Sequence, residues 1–336
     1  MSQILLQIQG LTTSLATDTG TIRPVNDISL DLSAGETLAV VGESGSGKSM
    51  LAFSIVGLPP RAARFESGRI LWKERDLLKM PSESLRRIRG KEIALVFQEA
   101  GSALNPVRTI GSQLMEPLRT HLGLSRKDAR DRSVELLREV QIPEPERRVF
   151  DYPHQLSGGM KQRVLIAMAI ACDPELLIAD EPTTALDATL QAHILGLLAR
   201  LKEDRNLSLL LITHDLSLVK ENTDRVAVMY AGRLVELGPS DSILANPGHP
   251  YTRGLWQSLP KPRGDEQGKA KLHAMTGTVP HLATLPAGCA FGSRCPDHFE
   301  ACDLEVPTLR DVDGDSAHRS ACYNNAAVLD AMTTKV

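Results

Sequence analysis

Near the amino terminus, apolar residues alternate with polar ones at Ile4, Leu6 and Ile8, and again at Ile28, Leu30 and Leu32. A period of two predicts strands with one buried face, so residues 1–40 read as short strands. Thr37 to Val41 breaks the alternation. It is a continuous β-rich apolar run ending at Gly42, the pattern of a strand buried on both faces. Residues 50–58 predict a helix stopped by Pro59-Pro60. Residues 93–97 predict another buried strand. From about 100 to 155 the pattern changes, and Val134, Leu137 and Val140 share one helical face. This predicts an inserted helical subdomain at about 100–160. Helices over 161–172 and 188–202 then alternate with strands over 176–179 and 207–213. Such alternation predicts a mostly parallel sheet covered on both faces, an α/β fold. After about residue 248 the pattern decays into Pro, Gly, His and Cys. The expected domains are therefore 1–248 and a separate small tail, 249–336. There is no internal repeat.

Composition narrows the picture. With 42 % hydrophobic but only 4 % aromatic residues, the core must be mostly aliphatic. A net charge of −3 argues against a protein that coats nucleic acid, so no nucleic-acid partner is expected. The longest apolar run, 164–172, is far short of the ~20 residues a spanning helix needs. The first residues carry no positive charge ahead of their apolar positions, so they do not read as a signal peptide and the chain is expected in the cytosol. Four of the five cysteines, Cys289, Cys295, Cys302 and Cys322, fall near the carboxyl end. In a reducing compartment such a cluster suggests a metal site more than a disulfide framework.

The string Gly42-Glu43-Ser44-Gly45-Ser46-Gly47-Lys48-Ser49 fits the phosphate-binding loop G-x-x-x-x-G-K-[ST]. Its glycines, Gly42, Gly45 and Gly47, let backbone N–H groups, that of Ser44 included, curl around phosphate oxygens, and the next helix aims its positive end at them. Lys48 is expected on the β- and γ-phosphates and Ser49 on Mg²⁺. The plainer reading is a chance glycine turn, but the strand before it and the helix after it are where the chemistry needs them. A second apolar run ends in Asp180-Glu181. In parallel sheets ligands gather at the carboxyl ends of strands. Asp180 is thus expected in the Mg²⁺ shell, and Glu181 as the general base that polarises the attacking water. A solvated acidic turn is the bland alternative, and the phosphate loop disfavours it.

Leu156-Ser157-Gly158-Gly159-Met160-Lys161-Gln162-Arg163 resembles the signature of ATP-binding cassette (ABC) proteins. Ser157 can cap the following helix, while Gly158 and Gly159 expose backbone amides to an anion. The resemblance implies that this element serves the γ-phosphate held by a partner subunit. It also implies roles for residues that follow in family order. Gln98 resembles the Q-loop glutamine, which senses Mg²⁺ and the membrane subunit. Ala185-Leu186-Asp187 resembles the D-loop, and His214 the switch histidine on the γ-phosphate. The implied fold is a P-loop NTPase core of the ABC ATPase type, and the implied cofactors are ATP and Mg²⁺. One departure stands out. The family usually stacks adenine on an aromatic residue near the amino terminus, and no Phe, Tyr or Trp precedes Phe53 here. The matching position is Leu15, and the planar guanidinium of Arg23 is the other candidate surface.

Within that family, Met50 after the phosphate loop, Ser102-Ala103-Leu104-Asn105-Pro106, His249-Pro250-Tyr251-Thr252 with Leu259-Pro260, and the tail GCAFGSRCPDHFEAC resemble the D-type ATPase of dipeptide and oligopeptide importers. This implies an F-type ATPase partner, two integral membrane subunits, an extracytoplasmic peptide-binding protein, and a place at the cytoplasmic face of the membrane. The tail cysteines lack the C-x₂₋₄-C pairs of most structural zinc sites. Some D-type subunits carry a [4Fe-4S] cluster on such a tail, so the resemblance implies one on Cys289, Cys295, Cys302 and Cys322, with Zn²⁺ or free thiols as alternatives. Cys172 reads as an ordinary core residue. Two other functions remain open on sequence: import of nickel, opines or glutathione, and a non-transport ABC ATPase. The second usually carries two cassettes or coiled-coil arms, which this chain lacks.

Overall fold

The computed structural model describes residues 3–18, 20–98, 100–183, 187–215, 219–258, 275 and 277–324. Its strands are β1 (Ile4–Thr17), β2 (Gly20–Ser33), β3 (Thr37–Val41), β4 (Ala63–Trp72), β5 (Arg75–Asp76), β6 (Ile93–Val96), β7 (Leu176–Asp180), β8 (Ser208–Thr213), β9 (Arg225–Tyr230), β10 (Arg233–Pro239), β11 (Arg310–Val312) and β12 (Asp315–Ser320). The helices are α1 (Lys48–Ile55), α2 (Ser82–Ile88), α3 (Ala100–Ala103), α4 (Ile110–Leu122), α5 (Arg126–Glu139), α6 (Pro145–Arg148), α7 (Gly158–Ala169), α8 (Ala188–Arg205), α9 (Val219–Asn222), α10 (Ser240–Ala245), α11 (Pro250–Gln257) and α12 (Ala301–Leu304).

The strands form two sheets. One runs β2-β1-β4-β5 and is antiparallel. The other runs β11-β12-β10-β9-β3-β8-β7-β6, with β9, β3, β8, β7 and β6 mutually parallel. Every residue of β3, β7 and β8 is buried, as continuous apolar runs predict for strands covered on both faces. Successive side chains of a strand point to opposite faces, and two cores follow from that. Leu176, Ile178, Leu210 and Ile212 pack with α1 and the antiparallel sheet. Leu177, Ala179, Leu209 and Leu211 pack with the helices on the other face.

Residues 1–40 hold two strands of 14 residues each, longer than the short strands expected. Register shifts between Ile8 and Leu11 and between Thr13 and Leu15 break the alternation and hide the length. Between β6 and β7 the chain is helical. Thr109 caps α4 and Ser125 caps α5, each accepting a hydrogen bond from a backbone N–H three residues on. Gly123 ends α4 in the left-handed conformation that glycine adopts without a Cβ penalty. Leu114, Leu118, Leu136 and Leu137 bury the helical pair against α7.

The tail, expected as a separate domain after 248, shares the main sheet. β12 pairs with β10 through Glu236 and Leu237, and β11 extends the edge. A buried carboxylate fastens the join. Glu236 Oε1 lies 2.7 Å from His318 Nε2 of β12 and accepts from Gly248 N, while its Oε2 accepts from His249 N. Tyr251, Leu255 and Phe291 then pack on Tyr230, Val226 and Val228.

Candidate functional site

β3 delivers the chain into the loop 42–49, and α1 leaves it. A Cβ on Gly42 would stand 2.2 Å from the Met229 carbonyl oxygen, and one on Gly47, at φ +104°, 1.8 Å from that of Pro24. No side chain fits at either, so the loop is pressed between β2 and β9. Lys48 is buried, and its Nζ donates to the carbonyls of Gly42 (2.8 Å) and Glu43 (3.0 Å). Burial lowers its pKa, with Glu181, Asp180 and Glu43 pulling the other way. Ser46 Oγ is buried with no partner among the described residues, a spare donor inside an anion-binding loop.

Three further strands end at the same rim. Ser49 Oγ donates to Asp180 Oδ1 at 3.1 Å, so two oxygen groups suited to Mg²⁺ stand side by side. Burial pushes the Asp180 carboxyl up, only partly offset by Ser49 and Lys48. Glu181 follows with φ +46°, its N–H donating to Ile212 O at 2.9 Å. Left-handed φ in a non-glycine residue costs ~1–2 kcal/mol. Gln98 Nε2 donates to Glu181 Oε2 at 2.7 Å, and His214 Nδ1 lies 3.2 Å from Glu181 Oε1. Gln98, Asp180, Glu181 and His214 thus meet beside the phosphate loop, at the carboxyl ends of β6, β7 and β8.

Other expected residues lie apart from this group. Ser157 caps α7 by accepting from Met160 N; it and Gly158 are exposed, and Gly159 is buried against Leu190 of α8. Asp187 caps α8 by accepting from Leu190 N. Ala185, Leu186, Leu259 and Pro260 lie outside the described residues. Leu15 is half-buried and pairs with Ile22 and Ala63. Arg23 is exposed, and its Nε binds Glu66 at 2.7 Å. An apolar cleft of about 470 Å³ opens next to Gln98, lined by Val56, Leu95, Phe97, Pro117, Leu165 and Met168 among others.

The tail reaches this site through Glu43, a contact that sequence reasoning missed. Arg294 grips both carboxylate oxygens of Glu43, at 2.9 and 3.0 Å, and the Glu43 N–H donates to Tyr251 Oη at 2.8 Å. Behind that contact, Cys289, Cys295, Cys302 and Cys322 line one small enclosed cavity together with His249, Phe291 and Phe299. Burial raises the pKa of Cys289 and Cys295 and pushes that of Cys322 up to about 11. Among the described residues, no group of three or more His, Cys, Asp or Glu is arranged to hold a metal ion. The thiols therefore share a cavity without closing on a single point. Cys172, raised to about 11 by burial, lies in the core as expected.

A family profile described as ABC transporter matches residues 25–184, and one described as oligopeptide/dipeptide transporter, C-terminal region, matches 235–302. The dipeptide transport ATP-binding protein DppD of Bacillus subtilis is 48 % identical over 304 residues, 90 % of either chain. DppD of Haemophilus influenzae is 46 % identical over 308 residues, 92 % of each. Among solved structures, a dimeric ATP-binding cassette in a post-hydrolysis state with ADP and Pi is similar at TM-score 0.64 and 27 % identity. The match covers 70 % of this chain and 99 % of that one.

Proposed function

This chain belongs to the ABC transporter family, among the ATP-binding subunits of its peptide importers, and from that premise we propose how its own residues turn over ATP. It is the ATP-hydrolysing subunit of an importer of dipeptides and oligopeptides, working at the cytoplasmic face of the membrane. Among the described residues no helix is long and apolar enough to cross that membrane. In this reading membrane-embedded permease subunits carry the solute and an external protein binds it.

The observation that carries the mechanism is Glu181 held between Gln98 and His214. Loop 42–49 takes the phosphates on its N–H groups, with Lys48 on the β- and γ-oxygens. Ser49, Asp180 and Gln98 would hold Mg²⁺, and the donor set fits: a hydroxyl, a carboxylate and an amide oxygen. The ion would neutralise developing charge on the phosphates. Glu181 takes the proton of the attacking water, while His214 and Gln98 hold its carboxylate toward that water. Ser157, Gly158, Gly159 and Asp187 serve the nucleotide of a second, F-type ATPase subunit. Two permease subunits complete the assembly, and the apolar cleft beside Gln98 is where one would dock and be sensed. Adenine rests on Leu15 of β1 or Arg23 of β2, on the antiparallel sheet. Residues 1–248 act as the ATPase domain, with 100–160 as its helical subdomain, and 249–336 as the importer-type extension.

The tail cysteines are read as ligands of a [4Fe-4S] cluster. Support comes from the four thiols lining one cavity. Such a cluster would cross-link a segment with little apolar core of its own. Protein purified without oxygen is expected to be brown, with about four irons and four sulfides per chain. Colourless protein with about one zinc would replace the cluster by Zn²⁺, and no metal would reject both.

The function itself is tested by uptake. Vesicles holding the complete importer, given labelled dipeptide and ATP, should accumulate peptide, and Lys48→Ala should abolish accumulation. Undiminished uptake by Lys48→Ala would contradict the assignment.

A further inference from the structure

The turn that joins Cys289 to Cys295 has two sides. Gly292 N donates to Cys289 O (2.9 Å), Arg294 N to Phe291 O (2.9 Å) and Cys295 N to Gly292 O (3.1 Å), so a few residues form one tight unit. Cys289, Phe291 and Cys295 line the thiol cavity. Arg294 points the other way, into the phosphate loop, and its side chain is only 5 % exposed. Its guanidinium lies 5.8 Å from the Tyr230 ring and 5.7 Å from that of Phe291, and donates to Tyr230 Oη at 3.2 Å. The rings of Tyr230, Tyr251 and Phe291 contact one another at centroid distances of 4.6 to 5.4 Å, filling the space between the cavity and the loop.

Glu43 is held on every polar side by this arrangement. Its carboxylate faces Arg294, its N–H faces Tyr251, and its carbonyl accepts from Lys48, a residue of the phosphate site. A planar guanidinium bound to both oxygens fixes orientation as well as charge. Displacing Arg294 would free the first turn of the loop and alter the grip on Lys48.

We propose that Arg294 and Tyr251 couple the phosphate loop to the four-thiol cavity, so that what the cavity holds sets the affinity for ATP. Arg294 acts as a positioning residue through Glu43, and its neighbour Cys295 is where the cavity's state enters. The proposal rests on the reading that the four thiols hold a group together. When that group is lost, the turn 289–295 loses its cross-link and Arg294 loses its fixed approach to Glu43.

The test is a double-mutant cycle on nucleotide affinity, using a fluorescent ATP analogue and the full chain purified without oxygen. Arg294→Met should weaken binding about tenfold, the equilibrium counterpart of one lost charge-assisted hydrogen bond. Arg294→Lys, which keeps the charge but not the fork, should fall between. Cys295→Ser, and Cys322→Ser on the far side of the cavity, should weaken binding to a similar extent. The pair Arg294→Met with Cys295→Ser should bind no more weakly than either alone. In the assembled importer, Arg294→Met should raise KM for ATP and leave kcat in place, which general loss of structure would not do. Circular dichroism identifies any variant that fails to fold, and Cys322→Ser then carries the cycle. The proposal is overturned if both serine variants bind within about twofold of the native chain, or if the two effects simply multiply. Iron and zinc analysis of the same native protein judges the cluster reading separately, because the cycle reads coupling whichever group the thiols hold.

Discussion

Glu181 combines a positive φ, a backbone hydrogen bond to Ile212 and two side-chain partners. Such local strain is kept where surrounding contacts over-determine it, as the proposed role of a base that must point at one water requires. The phosphate loop is as constrained. Gly47→Ala would place a Cβ 1.8 Å from Pro24 O at a φ that side chains rarely adopt. That substitution should weaken ATP binding at least tenfold, roughly the affinity equivalent of the steric and backbone penalties together; calorimetric titration measures it, and native-like affinity would mean the loop relaxes away from β2. These site residues were legible because chemistry at phosphate demands fixed residue types at short spacing. Glu43 and Arg294 were not, because 251 positions separate them and no local pattern marks the pair.

His249 begins α11 and accepts the Tyr251 N–H on Nδ1 at 3.0 Å, which requires a neutral ring. Complete burial holds its pKa down at about 3. The unfolded chain protonates this histidine near ~6.5. Between those values the unfolded state binds a proton that the native state refuses, so stability falls as pH falls from ~6.5 toward ~3. From ~pH 6.5 to ~pH 5 the loss from this one group should be roughly 1.5–2 kcal/mol. Urea midpoints across that range measure it. His249→Asn, a capping residue that does not titrate, should flatten that part of the slope, and an unchanged slope would assign the effect to other groups. Continuous apolar runs such as β3 and β7, and the long helix α8, were legible from sequence. The full length of β1 and β2 was not, because bulges shift the alternation. Nor was the joining of β12 to β10, which depends on Glu236 meeting His318 across 82 residues.

The signature element proposed to serve a partner's nucleotide faces outward. Ser157 and Gly158 are exposed at the start of α7 and make none of the contacts around Lys48, Asp180 and Glu181. A site that needs a signature element from another subunit is only half built in a monomer. The isolated chain should therefore hydrolyse ATP slowly, with specific activity rising with protein concentration and on adding the permeases and the proposed F-type partner. A steady-state assay across a dilution series measures this, and fast, concentration-independent turnover would contradict it. The measurement closest to the central claim is ATP turnover by the assembled importer carrying Glu181→Gln, with ATP binding followed in the same preparation. The substitution keeps the shape and one acceptor oxygen but removes the proposed base. Binding should persist while turnover falls by roughly 10²–10⁴-fold. Turnover close to that of the native importer would show that a different group activates the water.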